Sequence, residues 1–570
     1  MRYRNWEIGG FDRNVAVDLY KKEGLNPLLS VLLSSRGIAD IKEARILLGQ
    51  SAFDFHDPFH MTDMDKAVAR INFALENNEK ITIYGDYDVD GMTSCALLAS
   101  WLNTKAADFD IYIPKRICEG YGLNSAALDE LKSRGTELVI TVDCGVTAVE
   151  EAQYAKKLDL GLVITDHHEC KSELPQADAV VDPKRPDCNY PNDALAGVGV
   201  VFKLICALES QRPINEMLAR YSDFVAIGTV ADVMPVTEEN RELIRYGLRV
   251  LNSSPRPGIN LLLREALPEK TKVVTNTIGF TIAPRLNAAG RMGQPELSVE
   301  LLMTDDDDMA QNLASQLEGL NTERRRLEAE TYDEVSTMLS ESLSTDPIIL
   351  AKRGWHQGIA GIVAAKTSEL HQLPSIIICI DDDGMGRGSC RSFGNFAIYD
   401  ALKFCEDLLV SYGGHQMAAG VTLLEENINE LRKRFTKYYW DNTELGYEPK
   451  LDIDFEVEKP ELLAIPNVES IELLEPYGNG NPFPCLCIKS ASLQSILSIG
   501  AGKHTRLSIE KSGVSMDCIY FSMPAENLNV NVGMLVDIAF EPQINEFRGR
   551  TTVQLHILDI KQSDPTPVSF

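Results

Sequence analysis

A chain of 570 residues exceeds what one hydrophobic core can organise, so three or four domains are expected. Its 44% apolar and 24% charged content is that of an ordinary globular protein; no apolar run approaches the ~20 residues needed to cross a bilayer, and the N-terminus MRYRNWEIGGFDRN lacks a signal peptide's apolar core. The formal net charge of −29 argues against a nucleic-acid partner unless positive charge is concentrated locally or brought by metal ions.

Residues 1–50 read as an N-terminal extension. Residues 51–300 read as one domain, and from 81 to about 208 strand-like and helix-like segments alternate. ITIY (81–84) precedes an apolar helix, FDIYIP (109–114) precedes NSAALDELKSRG, ELVITVDCG (137–145) precedes TAVEEAQYAKKL, and GLVIT (161–165) runs into the sharp turn DHHEC. Such alternation predicts a parallel sheet built from βαβ units. Residues 221–250 read as helical, and the charged stretch within 301–345 as a connecting helix between lobes. A second, smaller α/β lobe is expected over 346–448, starting at PIILAKRGWHQGIAGIVAAKTSEL. From 449 to 560 short alternating segments (LDIDFEV, CLCIKS, HTRLSIE, MLVDIAF, TTVQLHILDI) predict a small β-barrel, and 561–570 a tail. The twelve cysteines are scattered, with Cys485 and Cys487 the one close pair, which argues against a zinc ribbon or disulfide framework and suits a reducing cytoplasm.

The stretch YGDYDVDG (84–91) places Asp86, Asp88 and Asp90 at alternating positions where a strand gives way to a helix. On extended chain such residues face one way, about 7 Å apart. Asp143 ends the next apolar strand; Asp166, His167 and His168 follow another; Asp232 closes the apolar run GTVAD. Carboxyl ends of parallel strands converge on a crevice. Each group alone reads as a helix cap or a structural histidine, but together they must protonate or bind cations. Oxygen-rich ligands with one or two imidazoles suit Mn²⁺ or Mg²⁺, and a pair of such ions is a device for hydrolysing phosphoryl bonds.

DYDVDG, VDCG, DHH and ADVMP, in this order, resemble the motifs of the DHH phosphoesterase superfamily. With PKRICEGYGL (114–123), PRLNAAGRM (284–292), WHQGIAGIVA (355–364), GGHQMAAG (413–420) and EPYGNGNP (475–482), the chain from about 50 to 560 is similar to the RecJ family of single-strand-specific 5′→3′ DNA exonucleases. The resemblance implies a parallel-sheet DHH domain, a DHH-associated domain and an OB-fold barrel. It implies two Mn²⁺ or Mg²⁺ ions on Asp88, Asp90, Asp143, His167 and Asp232, with Asp143 bridging. Asp86 is a direct ligand or orients one, and His168 polarises a phosphate oxygen or the leaving group, or else holds His167. It further implies release of 5′-mononucleotides in DNA repair and recombination, a cytoplasmic monomer, single-stranded DNA as partner, and a single-strand-binding protein and a helicase acting beside it. A phosphodiesterase for oligonucleotides or cyclic dinucleotides of the same superfamily is the alternative.

Phosphate contacts are expected from arginines, whose planar fork suits phosphate. Arg116, Arg285 and Arg291 stand in the first lobe's motifs; Arg387, Arg391 and Ser392, with Gly413, Gly414 and His415, stand in glycine-rich stretches of the second that read either as tight turns or as a phosphate clamp. Trp355 and His356 read as a base-stacking platform or as a packed strand end. Lys503, Arg506, Arg548 and Arg550 give the barrel a basic patch that answers the overall negative charge.

Overall fold

The computed structural model describes residues 5–115, 120, 122–268, 271–340, 345–443 and 450–563. These fall into two compact units, one from the described residues of 55–445 with 478–480, the other from those of 1–54, 446–477 and 481–570.

The first unit opens on an all-parallel sheet in the order Phe109–Tyr112, Ile81–Tyr84, Leu138–Val142, Gly161–Thr165, Ala179–Val181. The alternation in sequence predicts four of these strands; the three-residue fifth is too short to carry a periodic signal. Alternate residues serve opposite faces: Leu138, Ile140 and Val142 enter one apolar cluster, while Val139 joins Leu128, Leu131 and Ala152 in another. Helices therefore cover both faces, as a parallel sheet requires. The helix Val89–Thr104 is buried along nearly its whole length, which anchors the DYDVDG turn at its start.

The charged segment forms the helix Asp307–Ser340, with Ala310, Leu313, Ala314 and Leu317 buried near its start and Val335 near its end. Its 34 residues span ~50 Å. Val335 packs with Trp355, Ile359 and Val363 of the second lobe. That lobe carries a mixed sheet in the order Leu409–Gly414, Ala418–Leu424, Met385–Arg391, Ser375–Ile380, Ile348–Arg353. The two lobes approach closely at one point: a Cβ on Gly358 would lie 2.0 Å from the Arg291 carbonyl oxygen.

In the second unit five strands close a barrel: Leu486–Ile499, His504–Lys511, Val514–Tyr520, Arg550–Gln562 and Leu535–Phe547, the last pairing back onto the first. Two details differ from the sequence expectation. LDIDFEV is split: Lys450–Ile453 pairs in parallel with Asn5–Ile8, and only Phe455–Glu456 joins the barrel sheet. The strand Val514–Tyr520 (VSMDCIY) also belongs to the barrel, although it carries no turn signal stronger than Ser512-Gly513 before it. Leu28, Leu29, Leu32 and Leu33, on the N-terminal helix Pro27–Ser35, share one core with Leu493, Ile509 and Phe540 of the barrel.

Glycine sets the close approaches beneath the site. A Cβ on Gly290 would sit 2.0 Å from the Tyr87 carbonyl oxygen, so the helix Ala283–Arg291 lies directly against the DYDVDG turn. Gly319, on the long helix, has nothing within 4 Å of such a carbon. Gly290→Ala is expected to lower stability by about 1–3 kcal/mol through overpacking and to depress activity as the turn shifts. Gly319→Ala is expected to raise stability by about 0.5–1 kcal/mol by removing a flexible residue from a helix interior. Denaturant midpoints of the two variants check this contrast; equal shifts would mean that Gly290 is not a packing constraint.

Candidate metal centre at the strand ends

The carboxylates and histidines singled out above meet at the carboxyl end of the parallel sheet. Three overlapping groups have ligand atoms within 4.8 Å of one another: Asp86, Asp88 and Asp143; Asp90, His167 and Asp232; and Asp143, His167 and His168. The His167 Nε2 lies 3.1 Å from Asp143 Oδ1 and 3.7 Å from both Asp90 Oδ2 and Asp232 Oδ2, which joins the first two groups.

Several local devices hold these groups. Asp88 caps its own helix, accepting from the Gly91 N–H at 3.1 Å. Asp90 caps another, accepting from the Gly197 and Val198 N–H groups at 2.6 and 2.9 Å at the start of the helix Gly197–Leu208. Helix capping and cation binding are thus compatible tasks for one carboxylate, since each oxygen has two lone pairs. Asp143 sits at φ +60°, a left-handed conformation that Asp and Asn tolerate better than most residues. Its N–H donates to the Thr165 carbonyl at 3.0 Å, which turns its side chain off the strand end toward the cluster.

The electrostatics are those of like charges forced together. Burial first, then Asp232 and Asp88, pushes the Asp90 carboxyl well above the carboxylate range. Burial and then Asp90, Asp88, Asp86 and Asp232 do the same to Asp143. Burial and Asp88 push Asp232 up to about 7. His167 is held neutral, pushed down to about 3 by burial and the neighbouring His168 charge, so its Nε2 lone pair is free to ligate. His168 behaves oppositely. Burial works against its charge, but the Asp166 hydrogen bond and charge outweigh burial and raise it to about 9.

Asp166 is a residue the sequence reading left without a role. Its oxygens accept from the Val146, His167 and His168 N–H groups at 2.8, 2.8 and 3.2 Å and contact His168 Nδ1 at 2.7 Å. Fully occupied by donors, it orients His168 and the loop after Asp143 rather than facing a cation. Its place as the first letter of DHH was the available signal. Asp182, buried at the end of the strand Ala179–Val181, was also unassigned; burial and then Asp166 push it up to about 8.

The expected phosphate contacts divide. Arg116 lies outside the described residues. Arg285 is not available to a ligand: it is 9% exposed, pairs with Glu318 at 2.8 Å and donates to the Thr281 carbonyl at 2.9 Å, so it fastens its helix to the long one. Arg291 reaches across to the Gly358 carbonyl at 3.1 Å. Trp355 is a packed residue rather than a stacking platform, 8% exposed with its N–H donated to Glu334 at 2.6 Å. His356 caps the helix Gln357–His371, accepting from the Gly358 N–H at 3.1 Å.

In the second lobe Arg391 pairs across strands with Ala418, and the Ser392 N–H donates to the Met417 carbonyl at 2.9 Å. Arg391 and Ser392 therefore adjoin the turn with Gly414 and His415, whose left-handed φ of +132° at Gly414 makes glycine necessary there. The Ser392 hydroxyl donates to the Phe396 carbonyl. Arg387, half exposed, lies four residues back along the strand beside Asp381, at 3.7 Å.

The barrel's basic residues do not form one patch. Arg506 pairs with Asp517 at 2.7 Å and sits opposite Ile519, which sits opposite His556; Arg550 lies six residues from His556, or ~20 Å along the strand. Lys503 precedes the strand that carries Arg506, at the barrel end away from Arg550, and Arg548 stacks on Phe547 in the hairpin beside Arg550.

Three family models match the chain: the DHH family N-terminal domain over residues 80–229, the DHHA1 domain over 344–441 and the RecJ OB domain over 453–559. The chain is 39% identical to the single-stranded-DNA-specific exonuclease RecJ of Bacillus subtilis, over 98% of this chain and 71% of that protein. It is 33% identical to that of Escherichia coli, over 94% and 96% respectively. The crystal structure of RecJ from Thermus thermophilus in complex with Mn²⁺ superposes with a TM-score of 0.84 at 27% identity, covering 99% of this chain and 80% of that one. Among the described residues no helix is long and apolar enough to cross a membrane.

The raised carboxyl groups make a stability prediction. A group whose pKa is higher folded than unfolded gives stability that is complete below its unfolded value and lost as pH rises through its folded value. For Asp90, Asp143 and Asp232 the loss begins above ~4 and continues past 7, so the metal-free protein weakens across pH 5–8. His167, held neutral, opposes this below ~6.5 but is one group against three. Asp143→Asn, which keeps shape and left-handed conformation, should raise the metal-free Tm at pH 8 and flatten its pH dependence. Thermal scans in chelator at pH 5 and 8 check this; a variant that is less stable than the parent at pH 8 would contradict the repulsion.

Proposed function

Since the chain belongs to the RecJ family of single-stranded-DNA-specific exonucleases, we propose that it hydrolyses phosphodiester bonds of single-stranded DNA in the 5′→3′ direction and releases 5′-mononucleotides, with Mn²⁺ or Mg²⁺ as cofactor. The observation that carries the reading is the buried carboxylate–imidazole cluster at the sheet's carboxyl end, in a chain that matches these exonucleases over nearly its whole length. The donor set fits hard divalent cations: five carboxylates, a neutral imidazole, and no thiolate among the grouped residues. Asp86, Asp88 and Asp143 would hold one ion and Asp90, His167 and Asp232 a second, with Asp143 between them. Ions so held would supply Lewis acidity toward a phosphoryl oxygen and make an attacking water more acidic.

The chain's own residues do the rest. Neutral His167 presents Nε2 to the carboxylates, while Asp166 fixes the His168 ring and favours its charged form. With cations bound nearby, the Asp166 contact would be what keeps a proton on His168. A protonated His168 can donate to a phosphate oxygen or to the departing 3′ oxygen. Arg391, with the Gly414 turn and His415 beside it, would take a backbone phosphate, Ser392 holding the turn through the Met417 and Phe396 carbonyls, and Arg291 marks the seam between the lobes. The OB barrel would hold the strand by dispersed contacts. The activity suits repair and recombination in the cytoplasm, alongside a single-strand-binding protein and a helicase, with the enzyme acting as a monomer.

Digestion of 5′- and 3′-labelled oligonucleotides with Mn²⁺ tests this. Labelled mononucleotide should appear at once from the 5′-labelled single strand, while the 3′-labelled strand shortens stepwise and duplex is spared; immediate release from the 3′ label would reverse the polarity. His168→Gln should lower kcat about 10²–10³-fold with KM within a few-fold. A raised KM at unchanged kcat would restrict His168 to ground-state binding.

A further inference from the structure

The two stretches of chain that complete the Asp90–His167–Asp232 group are far apart in sequence. One is 194–198: Gly197 and Val198 donate to Asp90, and a Cβ on Gly197 would lie 2.6 Å from Asp143 Cβ, so this backbone also backs Asp143. The other is the turn 232–236 that follows the helix Ile214–Ala231 and carries Asp232 at its start. Val233 in that turn holds a left-handed φ of +58°, which a β-branched residue adopts only when its surroundings enforce it.

Asn240 joins these two stretches. It is 1% exposed near the start of the helix Glu238–Ser253, and its Nδ2 donates both to the Ala194 carbonyl at 2.6 Å and to the Pro235 carbonyl at 3.1 Å. Its Oδ1 accepts from Asn192 Nδ2 at 3.3 Å, and Asn192 Oδ1 accepts from the Ala194 N–H at 3.1 Å. Two carbonyls on one side fix which end of the amide is nitrogen. The neighbouring Glu239 is pinned by Lys203 Nζ at 2.6 Å and the Tyr190 hydroxyl at 2.7 Å, all buried, so the helix end that presents Asn240 is itself immobile.

We propose that Asn240 is a positioning residue that sets the spacing of Asp90 and His167 against Asp232, so that this cation site depends on it far more than the Asp86–Asp88–Asp143 site, which it touches only through the Gly197 backbone behind Asp143. The inference rests on the cation-binding reading given above. Asn479 also holds the Asp232 turn, through the Val233 carbonyl and the Val236 N–H, but it is Asn240 that ties this turn to the stretch backing Asp90.

The test is a Mn²⁺ titration of the metal-stripped full chain, with free Mn²⁺ read by electron paramagnetic resonance, for the parent and Asn240→Leu. Leucine keeps the volume and removes both donors. The parent should bind two ions; the variant should keep one within about threefold and bind the other about 10–100-fold more weakly, the usual effect of losing a group that orients ligands. Exonuclease activity should return as Mn²⁺ is raised. A clamp that serves only the fold would lower Tm and leave both affinities alone, and that result would overturn the proposal, as would equal weakening of both ions. If Asn240→Leu does not fold, Asn192→Ala, which spares both Asn240 donors, should weaken the same ion to a smaller degree; unchanged affinities there would also overturn it. A parent chain that binds no Mn²⁺ would overturn the underlying reading itself.

Discussion

Mutual repulsion among buried carboxylates at one end of a parallel sheet is the constraint on which the rest of this structure depends. Asp90 and Asp143 are almost fully buried, and Asp86 and Asp232 crowd them. Without cations the cluster can relieve itself only by taking up protons, which is why burial and neighbouring charge push these groups upward together. The sheet tolerates the strain because helix N-termini that Asp88 and Asp90 themselves cap, and close glycine contacts, hold its end.

The same constraint separates the roles of adjacent histidines. His167 faces the carboxylates and is kept neutral, whereas His168, one residue on, faces Asp166 and is kept charged. Two imidazoles with ring centroids 4.5 Å apart thus take opposite protonation states from opposite surroundings. One suits a ligand and the other a proton donor, and neither assignment follows from the sequence pair HH alone.

Much of the site was legible in the sequence because strand ends mark themselves: an apolar run that stops at Asp143, or at Asp166-His167-His168, leaves few places for those side chains. The arginines were less legible, since whether Arg285 meets phosphate or Glu318 depends on a helix far downstream, which no local pattern reveals. Trp355 was open for the same reason, its indole partner Glu334 being on that long helix. The barrel's cations looked like a patch because a row of residues carries no register; strand pairing places Arg506 and Arg550 far apart. Asn240 gave no signal at all, because a buried amide in ENREL looks like any polar residue at a helix start. Residues 1–50 read only as an extension, and it is the fold that shows Leu28, Leu29, Leu32 and Leu33 in the barrel's core.

The most direct measurement is calorimetric titration of Mn²⁺ into the metal-stripped protein at pH 7, repeated in buffers of different ionisation enthalpy. If cations replace protons in the cluster, two ions should bind per chain and protons should leave with them, since burial and like charge raise Asp90 and Asp143 and hold Asp232 at about 7. Binding of two ions with no proton release would contradict the account, because the carboxylates would then have been fully ionised before any cation arrived, and neither burial nor mutual repulsion would be holding protons on them.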